Sequence, residues 1–123
     1  MTPSNCCEIG ASYAVTGERD LAALDAAARL HDHSPFDVNE LERELRYRPE
    51  LVDGWLRWVE DKRWSPTWYF SPTDNGQYLV GYFSPDEDQK RLTVFDDRYR
   101  ACAAFIIHEL ESYRLLLESK GRW

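Results

Sequence analysis

The sequence predicts an α+β domain, with three helices, then a three-stranded antiparallel sheet, then a long closing helix. Three observations predict it. Apolar residues recur at helical spacing in three segments between residues 18 and 60 and again after residue 98. Between those blocks, β-formers flank Asn75-Gly76, the strongest short-range hairpin signal a sequence carries. A further β-rich run, RLTVF, stands at 91–95. Helices followed by a run of strands mark the α+β class.

Residues 1–15 show little periodicity and are expected to form a flexible tail, with Tyr13 and Val15 able to add a short edge strand. Cys6 and Cys7 are then two thiols in a frayed segment. Residues 16–123 make the single domain. Thr16 is the expected N-cap of a helix over about 18–31, with Leu21, Leu24 and Ala28 on one face. The SPFD stretch breaks the chain, and Asp37 caps a second helix carrying Val38, Leu41 and Leu45. Pro49 suits the first turn of a third helix, where its missing N–H would have no partner. Leu51, Val52, Trp55, Leu56, Trp58 and Val59 form a stripe there too broad for one-sided packing, so this helix is expected at the centre.

A type I′ turn on Asn75-Gly76 pairs Asp74 with Gln77 and thereby sets Phe70 opposite Gly81, Tyr69 opposite Tyr82 and Trp68 opposite Phe83. Alternation then sorts the side chains. Trp68, Phe70, Leu79, Phe83, Leu92 and Val94 are expected on the core face, Phe70 covering Gly81. Tyr69, Tyr78 and Tyr82 are expected on the other face, with Ser71, Thr73, Val80, Thr93 and Phe95. The Ser-Pro steps after Trp64, Phe70 and Phe83 punctuate strand ends. The last helix, about 98–119, lines up Tyr99, Cys102, Ala103, Ile106, Leu110, Tyr113 and Leu117.

At 123 residues the chain is long enough for one domain with a real core. It carries 22 acidic against 15 basic side chains, a net charge of −7. Phosphate binding needs the opposite balance, which argues against nucleic acid. Arg43, Arg46 and Arg48 interleave with Glu40, Glu42, Glu44 and Glu50, the pattern of an ion-paired helix face. No apolar run approaches the roughly twenty residues that span a bilayer, and MTPSNCCEIG has neither the basic nor the apolar region of a secretory signal. A cytoplasmic location without membrane attachment is the expectation. Cys6, Cys7 and Cys102 are odd in number and lack metal or redox spacing, so no disulfide framework is expected.

The common catalytic constellations are incomplete. His31-Asp32-His33 offers two imidazoles two residues apart at a helix end, which do not converge on a metal. HEL at 108–110 begins a zinc-protease helix, but Ser112 stands where the second histidine belongs. His108 and Glu111 share a helix face and have the spacing of an acid–base pair, a spacing common to many exposed pairs on helices. Neither a phosphate-cradling glycine loop nor G-x-S-x-G occurs. No catalytic residue, metal or cofactor is therefore assigned.

What remains is acidity arranged around an amphipathic sheet. Antiparallel order brings Asp74, at the hairpin tip, to the same end as Asp96 and Asp97, while Asp86, Glu87 and Asp88 lie at the other. Acidic ends flanking a tyrosine-rich face suit a cationic protein. The expected partner-binding set is Tyr69, Tyr78, Tyr82, Asp74, Asp96, Asp97, Asp86, Glu87 and Asp88. The expectation is a protein–protein interaction protein of immunity-protein or antitoxin type that neutralises a basic toxin. An alternative of another class is a small-molecule binder or small enzyme with a pocket between the sheet and Trp55 or Trp58.

Overall fold

Helices and strands follow in the order α1 (Pro3–Thr16), α2 (Leu21–His33), α3 (Val38–Tyr47), α4 (Glu50–Glu60), β1 (Thr67–Pro72), β2 (Tyr78–Phe83), a 3-10 turn (Glu87–Gln89), β3 (Arg91–Phe95) and α5 (Arg98–Ser119). This computed structural model describes residues 1–61 and 67–123; the Trp64-Ser65-Pro66 step lies outside them. The α+β class holds, with one more N-terminal helix than predicted.

That helix replaces the expected tail. Thr2 caps α1: its hydroxyl accepts from the Asn5 N–H at 3.1 Å, the Asn5 side chain accepts from the Thr2 N–H at 3.1 Å, and Pro3 occupies the first turn. Cys6, Cys7, Ile9, Gly10 and Tyr13 then recur at helical spacing and are buried. Thr16 closes this helix instead of opening the next; Asp20 caps α2 by accepting from Ala23 N–H at 3.0 Å. Asp37 and Pro49 begin α3 and α4 as the sequence predicts.

α1 packs most extensively on α4, and their closest approach is at two glycines. A Cβ on Gly54 would sit 2.5 Å from the Ala11 amide nitrogen and 2.6 Å from its Cα, backbone atoms that cannot swing aside. Gly54→Ala should therefore push the helices apart and cost about 1 to 3 kcal/mol in urea unfolding. A variant as stable as the parent would contradict this crossing.

Trp55 lies over Gly10 and donates its indole N–H to the Cys7 carbonyl at 3.0 Å. Its ring meets Trp58 and Phe105, and Phe105 stacks on Phe70 of β1. This chain of rings runs from the α4 tryptophans through α5 to the sheet. α5 is buried on several sides over its first half, through Ala101, Cys102, Ala103, Phe105 and Ile106, because it lies between the sheet and the α2–α3 layer.

All three thiols are buried, contrary to the expectation for Cys6 and Cys7. Burial pushes the Cys6 thiol up to about 12 and raises those of Cys7 and Cys102 as well. None should react with a thiol reagent in the native protein at about pH 8, and all should react after denaturation.

The sheet runs β1-β2-β3, antiparallel throughout, but its register differs by one residue from the expectation. Trp68 pairs with Tyr82, Tyr69 with Gly81, Phe70 with Val80 and Ser71 with Leu79. The turn explains the slip. Gly76 alone has a positive φ, +82°, whereas a two-residue type I′ turn needs one at Asn75 too. Thr73 N–H instead donates to the Gln77 carbonyl at 2.8 Å, and Gln77 N–H donates to the Thr73 hydroxyl at 3.1 Å. The loop is thus Asp74-Asn75-Gly76, with the glycine absorbing the extra residue as a bulge.

One residue of slip exchanges the faces of β2 and β3 relative to β1. Trp68, Phe70, Tyr78, Val80, Tyr82 and Phe95 turn to the helices. Tyr69, Leu79, Gly81, Phe83, Leu92 and Val94 turn away, and Tyr69 rather than Phe70 covers Gly81.

Candidate functional site

The outer sheet face is built by pairing. Tyr69, Gly81 and Leu92 form one cross-strand row, Ser71, Leu79 and Val94 the next, and Phe83 continues the face on β2. Phe83 is 53% exposed, Leu92 60% and Val94 50%. β-Branched and large apolar side chains explain why these residues form strands; nothing from the helical layer explains why they meet water, since α4 and α5 pack on the opposite side. Together they make an exposed apolar patch on an otherwise charged chain. Tyr69, Tyr82, Phe83 and Leu92 border a depression of about 300 Å³ at the end near Lys90 and Arg91.

The predicted site residues divide between this face and its surroundings. Tyr69 lies on the outer face. Tyr78 and Tyr82 point inward, Tyr78 against Phe70 at 5.9 Å between ring centroids and Tyr82 against Trp68 at 5.4 Å. Of the acidic groups, Asp74 and Asp96 do share one sheet end, where Gln77 Nε2 donates to Asp96 at 2.9 Å. Asp97 caps α5 through Tyr99 N–H at 2.8 Å and pairs with Arg46. At the opposite end Asp86 caps the 3-10 turn and Glu87 pairs with Lys90 at 2.8 Å. The carboxylates of Asp74 and Asp88 form no hydrogen bond or ion pair among the described residues. These two are exposed and are the acids with charge to spare for a partner. Phe83, Leu92 and Val94 are the face residues sequence reasoning missed, and a three-residue turn hypothesis would have found them.

The candidate catalytic groups are engaged in packing. His108 lies flat on Trp68, ring centroids 3.7 Å apart and planes within 6°. His31 Nδ1 accepts from Phe36 N–H at 3.0 Å and its Nε2 lies 3.6 Å from Glu111, so Glu111 serves His31. Among the described residues no cluster of three or more His, Cys, Asp or Glu could hold a metal ion. The expected ion pairing holds in part: Arg46 of α3 pairs with Glu42 and Asp97, and Arg48, its C-cap, with Glu8 and Glu50, while Arg43 forms no ion pair among the described residues.

Burial lowers the His108 pKa from its ordinary 6.5, while Glu111 pulls the other way. As pH falls through about 6.5 the unfolded chain takes up this proton before the folded one does. The contribution is therefore complete above that pH and is lost as pH falls toward the lower folded value. His108→Gln should flatten this part of the acid limb in unfolding titrations between about pH 7.5 and 5. An unchanged slope would assign the limb to another group.

Comparison with protein-family models, curated proteins and solved structures returns no match. Among the described residues, no helix is long and apolar enough to cross a membrane.

Proposed function

We infer that this chain is a protein-binding protein whose outer sheet face docks a basic partner, in the manner of an immunity protein or antitoxin held on its toxin. The observation that carries this reading is the open apolar face of Phe83, Leu92 and Val94, half or more exposed. Burying it on a partner would recover hydrophobic free energy that the isolated fold leaves unused. Acidity supports the choice of a basic partner. The net charge is −7, and Asp74 and Asp88 stand at opposite ends of the face. Lys90 and Arg91 sit beside the face at one end, but Lys90 is held by Glu87, and Arg91 donates to the Asp88 and Lys90 carbonyls.

The test is capture from the native host by the parent chain and by Leu92→Asp, followed by association kinetics against salt. The reading expects a basic protein retained by the parent and lost by the variant. Association should slow steeply as salt shortens the Debye length below roughly 8 Å. Equal capture by both chains, or a rate indifferent to salt, would reject it.

A further inference from the structure

The helical layer holds a second feature that shares no residue with the sheet face. Between α2, the second half of α5 and the Trp58 indole lies a cleft of about 920 Å³. That is within the roughly 300–1,000 Å³ range of small-molecule sites. Its floor is formed by Trp58 and Leu24, almost fully buried, together with Leu117, and the Arg19 guanidinium lies over one part of it, 4.1 Å from the Trp58 ring. At the lips, Leu21 and Leu116 are 55% and 48% exposed. Leu21, Leu24, Leu116 and Leu117 thus give the cleft aliphatic surface at both mouth and floor.

The rim carries the opposite charge to the rest of the molecule. Arg19, Arg29, Lys120 and Arg122 line the cleft of a chain whose net charge is −7. Two carboxylates face it, and both are engaged: Asp25 lies 2.8 Å from Arg29, and Glu109 accepts from the Trp58 indole N–H at 2.9 Å. Arg29 also donates to the Arg122 carbonyl at 3.2 Å and lies over the Trp123 ring, which holds the C-terminal segment and its cations at the mouth. The side chains of Lys120 and Arg122 are exposed and form no ion pair among the described residues. Concave walls concentrate the field of such charges at the opening.

We propose that this cleft binds an amphipathic anion, an aliphatic chain with a carboxylate or phosphate head. The chain lies along Leu21 and Leu116 to the Trp58 floor, and the head meets Lys120 and Arg122 at the mouth. A cationic amphiphile of equal length gains the same apolar contact and is repelled at the rim.

The experiment is calorimetric titration of the full chain with decanoate, decyl phosphate and decyltrimethylammonium, with the Trp58 indole N–H resonance as a local reporter. At least one anion is expected to bind saturably, to shift that resonance and to bind about tenfold or more tightly than the cation. Lys120→Glu combined with Arg122→Glu removes two exposed ion pairs to the head and should weaken the anion by about tenfold at an unchanged melting temperature. Leu92→Asp on the sheet should leave it unaltered, which separates this site from the protein-docking face. The proposal is overturned if neither anion binds, if the cation binds equally, if the double variant binds normally, or if Leu92→Asp abolishes binding.

Discussion

Trp55→Ala is expected to bring the domain to the edge of unfolding, with a loss of about 3 to 5 kcal/mol in urea or thermal unfolding. The cost has three sources. The indole is fully buried, so its removal leaves a cavity bounded by α1, α4 and α5 that helices already in backbone contact cannot close. Its N–H satisfies the Cys7 carbonyl, which would be left without that partner inside the core. Its ring also joins Trp58 to Phe105 and thus the helical layer to the sheet. Trp55→Phe keeps most of the volume and loses the hydrogen bond, so it should recover more than half of the deficit. An alanine variant that loses less than about 1 kcal/mol would mean that α1 is not seated on α4.

Phe70→Ala should cost a similar amount, about 3 to 5 kcal/mol, whereas Phe83→Ala should cost less than about 1 kcal/mol. The two rings belong to neighbouring strands and are of equal size; the register alone separates them. Phe70 is 1% exposed, opposite Val80 and stacked on Phe105. Phe83 is 53% exposed on the outer face. Melting temperatures of the two variants read the register directly. Equal destabilisation would restore the two-residue turn, place both rings in the core and remove the docking face.

The contrast shows what a sequence of this kind discloses. The helix starts at Asp37 and Pro49, the strand at 91–95 and the span of α5 were legible because each depends on a local signal whose physics is strong. α1 was overlooked although Thr2, Pro3 and Asn5 form a start signal, because its buried stripe holds two cysteines, a glycine and a tyrosine beside a single aliphatic residue, Ile9. Asn75-Gly76 located the hairpin but not its register. Both residues tolerate positive φ, and the choice between two-residue and three-residue loops fell to the Thr73 hydroxyl, a contact no propensity encodes. The candidate face inherited that error, since one residue of slip moves whole sets of side chains across the sheet. The cleft was not legible at all. It depends on the relative placement of α2 and α5, far apart in sequence, and on cations drawn from the α1–α2 loop, α2 and the C-terminal segment.

Hydroxyl-radical footprinting of the free chain and of its complex with a captured basic partner addresses the docking face most directly. Phe83 and Leu92 are predicted to be labelled readily in the free protein and protected in the complex, with Phe70 silent in both states. Protection of Phe83 and Leu92 in the free monomer, or their undiminished labelling in the complex, would contradict the assignment of the outer sheet face as the binding surface.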